Sequence, residues 1–79
     1  MTIKLFDEVA LAIDIPEQGL KRGDVATVVE HHARTDVEDG YTLEVFNALG
    51  DTIAVVTVPA SAIIPLTERE IFTVRSLVA

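Results

Sequence analysis

Cysteine is absent from this 79-residue chain, which removes disulfide staples, thiol nucleophiles and Cys/His zinc clusters together and fits a reducing compartment. Aromatic residues are few, with no tryptophan, one tyrosine and three phenylalanines, so any core must be built mainly from valine, isoleucine and leucine. Cations are also in short supply. Six Lys and Arg stand against thirteen Asp and Glu, a net charge of -7, and such a chain repels phosphate polymers and anionic lipid over most of its surface. No apolar run approaches the roughly 18 residues that cross a bilayer, and Met1–Glu8 lacks the apolar centre of a signal peptide. The expectation is a cytoplasmic protein with no membrane partner and little affinity for nucleic acid. Catalytic groups are missing in the same way. The serines are Ser61 and Ser76, neither in a nucleophile-elbow context, and no nucleophile has a base at recognisable spacing. The chain therefore reads as a non-enzyme with no cofactor and no metal.

What is present is apolar and β-forming. Hydrophobic residues make up 49% of the chain, far from a disordered composition. Its length allows one domain. Ordering so many residues costs on the order of 100 kcal/mol, which brings a small core near break-even unless packing is dense or a partner contributes.

Glu8-Val9-Ala10-Leu11-Ala12 alternates with period two and predicts a first strand with Val9 and Leu11 inward. Ile13 through Arg22, carrying Asp14, Pro16, Glu17, Gln18 and Gly19, reads as a long excursion. Gly23 then turns the chain into a second strand over Asp24–His31, with Val25 and Val28 as core residues and a bulge at the small Ala26. His32–Gly40 is an exposed acidic hairpin loop. Tyr41–Asn47 alternates through Leu43 and Val45 as a third strand, Ala48–Asp51 makes a short turn, and Thr52–Val58 is a fourth strand apolar on both faces. Pro59 ends it, Ala60-Ser61-Ala62 forms one tight helical turn, and Ile63–Leu66 closes as a short edge strand. Thr67-Glu68-Arg69-Glu70 matches a capping box, after which Ile71, Val74, Leu77 and Val78 fall on one helical stripe. The β-branched residues there leave a sixth strand open as the alternative. The fold class is mainly β, a five-stranded barrel over residues 1–66 with a short amphipathic C-terminal helix or tail over 67–79. No internal repeat or low-complexity segment is evident.

Five short strands, a wide first loop, an acidic hairpin loop and a tight turn before the last strand give the order of an SH3-like barrel. Lys21-Arg22-Gly23-Asp24-Val25-Ala26-Thr27-Val28-Val29 looks like the G-D-x-x-x-V strand opening of several such barrels. Together with Asp7–Leu11, Gly19–Asp24, Tyr41–Phe46 and Thr57–Ala60, it resembles a family of small bacterial proteins defined as a domain of unknown function. Weaker similarity reaches the KOW motif and the barrels of the nitrile hydratase β chain and of the photosystem I subunit that docks ferredoxin. The KOW resemblance implies RNA binding through a basic surface, from which this acidic chain departs. The other two imply scaffolding or docking.

Candidate chemistries are few. His31-His32 with Asp36, Glu38 and Asp39 has the ligand types for zinc, nickel or manganese, but adjacent histidines on a strand point to opposite faces, and a solvated acidic loop accounts for them. Asp36–Gly40 is too short for a calcium loop. Arg22-Gly23-Asp24 is explained by turn geometry, and Gly19 and Gly23 lack the Lys-Ser/Thr step of a phosphate cradle.

The expected function is a non-enzymatic protein–protein interaction module, acting as a subunit, docking or inhibitor-like partner. Its candidate interface is apolar: Phe46, Ala54, Val56, Ile71, Val74, Leu77 and Val78. Either the tail packs on its own barrel, or tail and fourth strand form a homodimer or hetero-interface. Asp14, Glu17, Asp36, Glu38 and Asp39 form a candidate acidic docking set that would steer toward a basic partner. Two alternatives stand beside it: a KOW-like RNA or ribosome binder using Lys4, Lys21 and Arg22, and an accessory domain of a multi-subunit enzyme.

Overall fold

Alternating β-branched residues between glycine and proline turns produce five strands: β1 (Glu8–Leu11), β2 (Val25–His32), β3 (Gly40–Phe46), β4 (Thr52–Pro59) and β5 (Ile63–Pro65). They are seen in a computed structural model that describes residues 3–77; the Val78 position of the expected apolar stripe lies outside those residues. All pairs are antiparallel, in one sheet of order β4-β3-β2-β1-β5. β4 and β5 are thus its opposite edges, yet only the 3₁₀ turn Ala60–Ala62 joins them. Four Cα steps reach at most ~14 Å, whereas the edges of a flat five-stranded sheet would stand ~19 Å apart. The sheet must roll. Its inner face holds one cluster drawn from every strand, with Val9, Leu11, Val28, Leu43, Val58 and Ile63 among its members. The expected barrel is nevertheless not closed, because β4 and β5 share no ladder.

Two irregularities set which side chains face inward. Val28 pairs with Leu43, but Glu30 pairs with Thr42, so Val29 is an extra residue. This bulge, rather than one at Ala26, reverses the parity of β2: Ala26 and Val28 are buried before it, and His31 sits opposite the buried Tyr41 after it. Val25, expected in the core, is only half-buried, being one step out of phase with Ala26. Similarly, Val45 pairs with Ala54 and Phe46 with Thr52, which makes Ile53 the extra residue of β4. Ala54 and Val58 therefore point into the core and Val56 packs against it, while Val55 is 56% exposed. Because β4 is apolar on both faces, its own pattern leaves the inward parity open; its register with β3 decides it.

The C-terminal helix does not form. Glu70 does reach back to the Thr67 amide and hydroxyl, but the Thr67 hydroxyl accepts from the Arg69 amide at 3.1 Å and no helical turn follows among the described residues. Ile71, Thr73 and Val74 lose side-chain freedom in a helix, and an isolated helix of this length is marginal in water. An extended tail instead runs back over the sheet's own loops. Arg75 Nε donates to Asp24 Oδ1 at 2.8 Å, Nη2 donates to Asp24 Oδ2, and Nη2 also donates to the Gly19 carbonyl at 2.9 Å. Leu77 Cδ1 lies 3.5 Å from the point a Cβ on Gly19 would occupy. The helical stripe has no counterpart here, since Ile71 and Val74 are 86% and 99% exposed.

Two outcomes are expected. Leu43→Ala, at a fully buried position, should lower unfolding free energy by about 2–5 kcal/mol, while Val55→Ala on the outer face should stay within about 0.5 kcal/mol; urea denaturation distinguishes them. The hydrogen bond from Arg75, aided by the Lys21 amide and opposed by burial, holds the Asp24 carboxyl below its ordinary value. A depressed carboxyl stabilises the state containing its partner above the free value of about pH 4, and that contribution fades as pH falls through the lower, folded value. NMR should show the signals of residues 72–77 moving to random-coil positions in acid below about pH 4, before the Leu43 amide is lost; tail signals unchanged by acid would refute the assignment.

Candidate interaction groove

The loop between β1 and β2 is fixed from both sides. Ile15 and Leu20 are buried and exchange two backbone hydrogen bonds of 2.9 and 3.0 Å. They pinch off a 3₁₀ turn at Pro16–Gln18, with proline at its start and Gly19 at φ 71 as its left-handed cap. Such a φ is readily adopted only by glycine. Asp14 Oδ1 accepts from the Arg22 amide at 2.8 Å, and Arg22 Nη1 donates to the Ala12 carbonyl at 3.3 Å. Gly23, at φ 93, completes the turn into β2.

Between this loop and β4 runs a groove of about 470 Å³, bordered by Ile13, Asp14 and Glu17 on one wall and by Val55, Thr57 and Pro59 on the other. β4 is an edge strand, and alternate residues of an edge strand turn their N–H and C=O groups away from the sheet. The groove thus combines apolar walls, two carboxylates and free backbone groups. Such a surface has the groups with which an extended polypeptide can pair.

The predicted site residues separate into distinct places. Asp14 and Glu17 meet Val56 at the groove. Phe46 is half-exposed at the end of β3, Ala54 is buried, and Leu77 lies with the tail at Gly19. The apolar set expected as one interface is not a single surface. The hairpin acids are engaged within the fold: Glu38 accepts from the Ser61 amide at 2.7 Å and hydroxyl at 3.0 Å, and Asp36 lies 3.9 Å from the Arg34 guanidinium. Asp39 accepts from the Arg34 amide at 3.0 Å and from His31 Nε2 at 2.7 Å. These hydrogen bonds, the amide first, hold its carboxyl below the ordinary value. The loop is therefore braced.

His31 and His32 do face opposite ways. The His31 ring stacks on Tyr41 at 4.8 Å between centroids, while His32 Nε2 is 2.8 Å from Thr42 Oγ1 on the outer face. Among the described residues no three His, Asp or Glu side chains converge as a metal site. The groove's β4 wall was hidden from sequence reasoning because the exposed phase of an all-apolar strand is visible only through its partner's register.

Asp14→Ala should free the Arg22 amide and loosen the loop by about 1 kcal/mol. Hydrogen exchange at Arg22 should then accelerate several-fold while the Leu43 amide is unchanged; equal protection in both proteins would mean that the carboxylate is not what fixes the loop.

No helix among the described residues is long and apolar enough to cross a membrane. No curated protein matches the chain, and no solved structure does. The model of the family described as Domain of unknown function (DUF4926) matches residues 5–65, a span from just before β1 to the last residue of β5 that contains the groove and omits the tail. On that match the chain belongs to the DUF4926 family.

Proposed function

We propose that this chain is a non-enzymatic protein–protein interaction module whose groove receives an extended, cationic and apolar segment of another protein. The observation that carries this reading is the pairing of an edge strand with the carboxylates of Asp14 and Glu17 across an open groove of mixed apolar and polar lining. A bound segment would add main-chain hydrogen bonds to β4 and bury alternate side chains against Ile13 and Val55, the strand-addition mode of peptide recognition. The acidic excess of the chain would raise the association rate of a basic segment and make it sensitive to salt.

The strand order, the wide β1–β2 loop and the 3₁₀ turn before β5 support a finer reading of the rolled sheet as an SH3-like barrel left open between its edges. RNA binding has less support. Arg75 and Arg34 are engaged with Asp24 and Asp36, Arg22 is tied to a carbonyl, and Lys21 is followed by no cluster of free cations of the kind that marks such surfaces.

Immobilised full-length chain should retain a partner from native cell extract at low salt, less at high salt. A Val55→Lys variant, which places a like charge where a cationic segment would lie, should retain at least tenfold less of that same partner. No retained protein at either salt, or equal retention by the variant, would overturn the reading.

A further inference from the structure

We propose that Asp24 and the Gly19 carbonyl form a second recognition site, for an arginine-bearing extended segment of a partner protein, and that the chain's own tail occupies it as an internal stand-in. The inference rests on the reading of the chain as a protein-binding module but uses a different surface from the β4 groove. Its acceptor groups are held independently of the tail. Asp24 Oδ2 also accepts from the Lys21 amide at 2.8 Å, a bond made within the β1–β2 loop. The Gly19 carbonyl is fixed by the left-handed cap and by the backbone bridge between Ile15 and Leu20. Together they present two carboxylate oxygens and one carbonyl oxygen to the planar fork of a guanidinium, a geometry that an ammonium cannot match.

The arrangement of donor and acceptor along the chain supports the same conclusion. Residues 5–65, the span of the family match, contain the whole acceptor, whereas Arg75 comes from the segment that follows. That segment is held at few points: Ile71 and Val74 are almost wholly exposed, Phe72 borders a pocket with Ile3, Val9 and Pro65, and the described contacts of residues 73–77 with the sheet and its loops centre on Arg75 and on Leu77 against Gly19. A strap with one polar clasp, at Arg75, can be released there without disturbing the strands. The ligand class follows from the occupant: arginine followed two residues later by an aliphatic side chain, in extended backbone, with Arg75-Ser76-Leu77 as its internal example.

A labelled peptide of residues 68–77 tests this with purified full-length protein. Fluorescence anisotropy should show it binding Arg75→Ala at least tenfold more tightly than wild type, because the tethered tail competes at an effective concentration of about millimolar order. Adding Asp24→Asn to that variant, or replacing Arg75 by Lys in the peptide, should each weaken binding at least tenfold. Should Arg75→Ala lose its dispersed amide spectrum, Arg75→Lys in the full-length chain replaces it with the same expectation. Equal binding to wild type and tail-released variants, or binding that survives Asp24→Asn, would overturn the proposal. So would a wild-type dimer in sedimentation that Asp24→Asn abolishes, since a second copy would then be the occupant. Because no cell-derived partner is involved, failure here is separable from failure of the β4 groove.

Discussion

The three-residue connection from β4 to β5 is the constraint on which the rest of the molecule depends. It joins opposite edges of a five-stranded sheet, so the sheet has to curl until those edges approach. Curling places one face of every strand on the same interior, which lets a chain this short assemble a continuous aliphatic core without disulfides and with few aromatic rings. Pro59 and the 3₁₀ turn serve this purpose by redirecting the chain within a single tight step. The absence of a ladder between β4 and β5 leaves β4 with an unpaired edge, and the groove exists because of it.

Much of this was legible in the sequence because it depends on short-range chemistry. Period-two alternation located β1 and β3 and their inward residues Val9, Leu11, Leu43 and Val45; glycine and proline marked the turns; Ala60–Ala62 read as a tight helical turn. What was not legible depends on partners distant in the chain. The bulge belongs at Val29 because β3 opposes Val28 with Leu43 and Glu30 with Thr42, and nothing within β2 announces that. In the same way, the uniformly apolar β4 conceals its phase, so Ala54 reads as outward-facing when it is buried. The tail failed for a related reason. Its helical spacing is real, but a weak local preference loses to a clasp made with Asp24, fifty-one residues earlier.

Charge is used differently from what composition suggests. The acidic excess invites a picture of solvated loops free to attract a basic partner, yet Glu38, Asp39 and Asp24 each accept hydrogen bonds that shape the backbone. Short connections leave many amides without ladder partners, and a nearby carboxylate is a strong acceptor for them. Asp14 serves both purposes, fastening the Arg22 amide while bordering the groove.

β5 differs from β4 in a way that bears on assembly. It has only three residues and ends in Pro65, which has no N–H to offer an incoming strand. A sheet with two adhesive borders can polymerise, each newcomer presenting a fresh border to the next. With one border shortened and closed by proline, a strand that aligned along β4 would find no equally long border on the far side of the sheet to pass the addition on.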